Sequence, residues 1–140
     1  MIVYNEDKFN NPEFSPTYVV PMDDVIDVKL HIVHLNASQV YEWLPYTYEQ
    51  TVPEGEEERF AWLKGMEITE ETKDEEILAA KSGYAVRFAK TAARFRDRLK
   101  EIYGDEIGAK VRYAEAFELC EYGSQPDEEL AGALFGFQEV

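Results

Sequence analysis

The chain has 140 residues, 45% hydrophobic and 14% aromatic, with 29 acidic against 14 basic side chains and a net charge of −15. That is one domain's length of chain with too much apolar content for disorder, and its charge disfavours nucleic acid and anionic membrane, which repel an acidic surface. The single cysteine, Cys120, excludes an internal disulfide and suits a reducing compartment; no apolar run approaches the ~18 residues of a membrane span; and MIVYNEDKFN lacks the order of a signal peptide, so the cytoplasm is the expected location.

Taken in order, residues 1–4 (MIVY) read as a strand, and Asn5 to Pro16, polar and broken by Pro12 and Pro16, as a loop. Thr17 to Val20 is a brief β-prone run. Pro21 with Met22, Asp23 and Asp24 looks like a helix entry, because aspartates accept the free first-turn amides and suit the positive end of the helix dipole. Ile26, Leu30, Val33, Ala37, Val40 and Leu44 then recur at steps of four and three, predicting a helix of about five turns stopped by Pro45. Val25, Val28, Ile32 and Leu35 widen its apolar face, which implies burial on more than one side. A second helix opens near Pro53, begins with Glu54, Glu56, Glu57 and Glu58, and closes at Gly65. The acidic connector 66–76 leads to the longest predicted helix, about Asp74 to Tyr103, weakened at Gly83 and capped by Gly104. Residues 111–119 alternate as a strand with Val111, Tyr113, Phe117 and Leu119 on one face. From Gly123 the tail is polar, then small and aromatic, suited to fraying or to docking a partner.

Four groups of residues carry chemistry worth weighing. Asp24, Asp27, His31 and His34 fall on one helical stripe; it is a polar face with local Asp27–His31 pairing, or a weak metal-ligand set of Asp27, His31 and His34. Seven of the fourteen basic residues lie within 81–100 (Lys81, Arg87, Lys90, Arg94, Arg96, Arg98 and Lys100), giving a solvated face or an anion site. Cys120 has no evident base beside it and reads as a buried structural thiol. Glu115 falls on the apolar side of its strand, where a carboxylate costs several kcal/mol unless paired. The expected remedy is an arginine from the long helix, the alternative a place in a cavity wall.

At VVPMDDVIDVKLHIVHLNASQVYEWLP the chain resembles the C-terminal part of the PIG-L/LmbE-like family of zinc-dependent N-deacetylases. That family shows a short strand, a polar helix entry, a Lys about ten residues before a Ser-Gln pair and a His two before that Ser; here Lys29, Ser38 and Gln39 match, with YEWLP following. Further along, KVRYAEAFEL matches the family's closing pattern at Tyr113, Ala114, Glu115, Ala116 and Phe117. Asn36 stands where the family often has His, and neither His31 nor His34 is followed by the Pro-Asp of the family's two zinc-ligand motifs. Pro21-Met22-Asp23-Asp24 looks superficially like the first of these but lacks the ligand histidine.

The resemblance implies a helix-dominated α/β or α+β fold with about three helices and two or three short strands, the C-terminal part of a Rossmann-like deacetylase. Residues 1–140 would be a single but incomplete domain. It further implies hydrolysis of N-acetyl groups on amino-sugar conjugates, with no cofactor held by this chain alone and zinc belonging to the complete enzyme. Asn36, Ser38, Gln39 and Glu115 become candidates for walling the substrate pocket. The expected partner is a complementary N-terminal half, or a second copy of the chain, with neither nucleic acid nor membrane. The rival reading is a non-enzymatic interaction module that keeps only the helical scaffold.

Overall fold

The computed structural model describes residues 1–6, 13–81 and 83–136. Among them are seven α-helices, one π-helical segment and a three-stranded antiparallel sheet, making the protein helix-rich α+β. The strands are β1 (Val3–Asn5), β2 (Tyr18–Pro21) and β3 (Ala114–Leu119), in the order β1-β3-β2. β3 thus brings together the two ends of the chain, pairing Tyr4 with Glu118 on one edge and Val19 with Ala116 on the other. Both pairings are antiparallel, so the parallel pairing of a Rossmann-like unit is not formed among these strands. Most of the predicted loop between the first two strands, residues 7–12, lies outside the described residues.

The predicted helix over 22–44 is three pieces: α1 (Ile26–Leu35), the π-helix (Ser38–Trp43) and α2 (Leu44–Thr47). Pro45 does not stop the rod but sits in the first turn of α2. It has no N–H to return to Tyr41, and in a regular α-turn its ring would meet that carbonyl. A wider turn relieves the conflict, and the Leu44 amide donates to the carbonyl of Gln39 instead. The expected aspartate cap is also absent. Val25 precedes α1 with no side-chain cap, while Asp23 accepts from the backbone N–H groups of Arg112 (2.8 Å) and Tyr113 (3.4 Å), tying the helix entry to the strand entry.

α3 (Glu56–Lys64) begins three residues beyond Pro53 and ends at Gly65, as the acids and the glycine suggest. The single long helix over 74–103 is instead α4 (Asp74–Ala79), α5 (Tyr84–Arg94) and α6 (Arg96–Lys110). Gly83 makes the first break: its φ of 118° is closed to other residues, and a Cβ there would lie 2.6 Å from Gly65 Cα. Two glycines thus let the end of α3 touch the start of α5. Gly104, at φ 79°, breaks α6, as its predicted capping role requires. The chain then folds back so closely that a Cβ at Gly108 would lie 2.5 Å from the Lys100 nitrogen. Arg96 staples this return, donating to the carbonyls of Gly108 and Val111 and to both carboxylate oxygens of Asp74.

The core forms around α5. Ala85, Phe88, Ala89 and Ala93 pack with Met22, Ile26, Leu30, Ile77 and Tyr113. Ala92 joins Val19, Leu99, Val111, Ala114 and Ala116. Alanines on both the helix and β3 let backbone approach backbone, so burial is reached with small side chains. A third cluster of Val40, Tyr41 and Leu63 fastens the π-helix to α3. The tail is ordered through α7 (Glu128–Phe135), capped by Asp127, with Phe135 stacked on Tyr18 at 4.3 Å between ring centroids.

Candidate functional site

Glu115 does not meet an arginine of the predicted long helix. It accepts from Lys29 of α1, Nζ to Oε1 2.5 Å, 86 positions away in the chain. Lys29 Nζ also lies 4.4 Å from the centre of the Phe88 ring, so its charge has a carboxylate and an aromatic face together. The phase of β3 explains the position of Glu115. The fully buried residues are Ala114 and Ala116, whereas Glu115, Phe117 and Leu119 share the half-buried side. The carboxylate therefore keeps some water and needs only one partner. It borders a crevice of about 20 Å³ with Asn5, Glu6 and Phe88, enough for about one water.

Ser38 and Gln39 lie on the π-helix, a distortion frequent at functional sites. With Glu42, Trp43 and Tyr46 they line an open groove of about 560 Å³, where Trp43 and Tyr46 are largely exposed. Asn36 ends α1, and its carbonyl accepts from the amides of Gln39 and Val40. The four pocket candidates thus divide between two places: Ser38 and Gln39 share a groove, Asn36 shapes the backbone beside it, and Glu115 lines a separate crevice.

Of the Asp24, Asp27, His31 and His34 stripe, the two histidines turn toward α3, while the aspartates are exposed. His31 Nδ1 is 2.7 Å from the backbone carbonyl of Asp27, not its carboxylate, and its ring lies 4.7 Å from that of Phe60. His34 shares a 2.7 Å hydrogen bond with the Tyr41 hydroxyl and meets Phe60 edge-on. Burial raises the Tyr41 phenol, opposed by the Arg59 charge nearby. Among the described residues no three His, Cys, Asp or Glu side chains gather to hold a metal ion. The zinc implied by the resemblance therefore does not fit the donors present here. Cys120 is buried, and its Sγ–H donates to the Tyr4 hydroxyl at 2.8 Å.

Two features were not foreseen. Val25, Val28, Ile32 and Leu35, expected to be buried, are 51%, 60%, 63% and 83% exposed, forming a bare aliphatic stripe along α1. The second is a cleft of about 380 Å³ between the π-helix, α2, α3 and the start of α5, bordered by Tyr48, Trp62, Lys81, Tyr84 and Arg87. The run of basic residues over 81–100 was its one sequence signal. Within that run Arg94, Arg96 and Arg98 pair with Glu6, Asp74 and Glu101, which separates them from Lys81 and Arg87. Among the described residues no helix is long and apolar enough to cross a membrane.

No protein-family model, no curated protein and no solved structure matches the chain.

Proposed function

We infer that these residues form the C-terminal portion of a PIG-L/LmbE-like N-deacetylase acting in the cytoplasm on N-acetylated amino-sugar conjugates. Their work is to complete the Rossmann-like fold and wall the substrate pocket. The observation that carries this reading is the Lys29–Glu115 pair, because it joins the two segments that resemble the family, each through a residue of its motif. Ser38 and Gln39, on an exposed helical distortion beside Trp43, supply hydrogen-bonding groups and a flat apolar surface suited to a sugar ring. Zinc, which in such enzymes activates the attacking water, takes its ligands from outside these residues.

The bare stripe of α1 supports the same reading. α1 carries a second aliphatic stripe, Val25, Val28, Ile32 and Leu35, besides its buried face and its polar residues. A contiguous exposed apolar stripe marks an interaction surface, and the occupant proposed for it is the zinc-binding half. A second copy is disfavoured because each would bring a net charge of −15. The stripe equally favours the rival reading, an interaction module without catalysis.

Acetate release and zinc content separate these accounts. Alone, the protein is expected to hold no zinc and to release no acetate from N-acetylglucosamine conjugates. Combined with a polypeptide carrying both His-Pro-Asp motifs, it should bind through α1 and support acetate release. Association without any acetate release would favour the interaction module. About one zinc per chain, lost in His31→Ala or His34→Ala, would overturn the proposal and make the helical stripe the metal site.

A further inference from the structure

The cleft between the π-helix and α5 has an unusual lining for this molecule. Acidic residues outnumber basic ones two to one, 29 to 14, yet the charged side chains of the cleft are Lys81 and Arg87, without a carboxylate. Its other polar side chains are Tyr48, Gln50, Trp62 and Tyr84. Among the described residues none of these six side chains makes a hydrogen bond or an ion pair, although the neighbouring arginines are paired. Lysine, arginine and the indole N–H are donors only, so the unspent capacity is mostly for accepting partners. The walls are flat and apolar, formed by aromatic rings with Val40, Leu44, Pro45 and Leu63. A volume of about 380 Å³ lies within the roughly 300–1,000 Å³ of small-molecule sites.

We propose that this cleft is a binding site for a small organic anion, one that joins a planar apolar ring to a phosphate or carboxylate. The ring lies among Tyr48, Trp62 and Tyr84, and the anionic group faces Lys81 and Arg87. Arg87 offers its guanidinium fork to two oxygens at once, and Lys81 a single compact charge. The Gly65–Gly83 contact holds the floor, since it fixes α3, which carries Trp62, against α5, which carries Arg87. This site is separate from the Ser38–Gln39 groove and does not depend on the deacetylase reading.

Trp62 reports on the cleft directly once the other indole is removed by Trp43→Phe, a change at an exposed position. Phenyl phosphate is expected to quench the remaining fluorescence saturably, and more weakly as salt is raised. Arg87→Gln and Lys81→Gln should each weaken binding about tenfold, while Arg87→Lys, which keeps the charge but loses the fork, should fall between the parent protein and Arg87→Gln. Both side chains are exposed and, among the described residues, make no hydrogen bond or ion pair, so circular dichroism should show the fold unchanged. Benzyl alcohol and inorganic phosphate should each bind much more weakly, because each offers only half of the recognition. Equal binding of benzyl alcohol, unchanged affinity in the charge variants, or no saturation would overturn the proposal.

Discussion

α5 and α1 are nearly equal in length, 11 and 10 residues, and both contribute to the cluster containing Leu30 and Phe88. They finish very differently. α5 buries Ala85, Val86, Phe88, Ala89, Thr91, Ala92 and Ala93, while Arg87 and Arg94 are exposed. Its burial is completed within the chain. α1 buries Ile26 and Leu30 and leaves its other aliphatic stripe in water. A periodic pattern therefore marks which residues are suited to burial, whereas the presence of a covering surface is a separate matter.

The largest effect expected along this contrast is at Leu30, which is wholly buried. Leu30→Ala should lower the unfolding free energy by about 3 kcal/mol, from lost transfer energy plus the cavity left behind. Urea unfolding measures it, and a loss under about 1 kcal/mol would mean that the inner face of α1 is hardly better packed than its surface.

A smaller, pH-dependent effect sharpens the packed side. Tyr113 lies in the same cluster, and its phenol is raised by burial first and then by the carboxylates of Asp23, Asp27 and Glu67. Tyr103, packed beside Leu99, is pushed up by burial to about 12 from an ordinary value of 10.0. The folded chain thus holds these phenolic protons more tightly than the unfolded chain does. Their contribution is complete below pH 10.0 and is lost as pH rises through that value toward the folded one, near 12 for Tyr103. Stability should fall on this alkaline limb, and Tyr113→Phe should make the fall shallower in denaturant titrations between about pH 9 and about pH 11.

The smallest stability effect belongs to the outer stripe. Ile32→Ser together with Leu35→Ser should change unfolding free energy by less than about 0.5 kcal/mol, because neither side chain loses packing. The same double variant should bind less of a hydrophobic dye and, if the partner proposed above is supplied as a polypeptide carrying the His-Pro-Asp motifs, associate less with it. A destabilisation comparable to that of Leu30→Ala would break the contrast by showing that both faces are packed.

Several features could be read from local chemistry. Tyr18–Val20, the entry and exit of α3, the helix-ending role of Gly104 and the helical character of 26–44 follow from β-branching, acidic first turns, glycine at helix ends and spacing of four and three. The two motif segments that resemble a deacetylase were likewise visible as residues in order.

Other features needed the assembled chain. The predicted helix over 74–103 became three because helical spacing survives a break; the close Gly65–Gly83 approach fixes the first turn, and Phe95, at φ −106° and ψ 29°, makes the second. The π-helix arose from Pro45 acting on the preceding turn rather than ending the rod. Alternation placed Glu115 with Phe117, but it could not say which side of β3 would face α5; the small Ala114 and Ala116 took that side. Lys29 could not be picked out as the partner of Glu115, because 86 intervening residues had to fold first. Periodicity depends on neighbours along the chain and is written in the sequence. Ion pairing across a core, the covering of a helix face and the lining of a cleft depend on neighbours in space, and tertiary structure alone decides them.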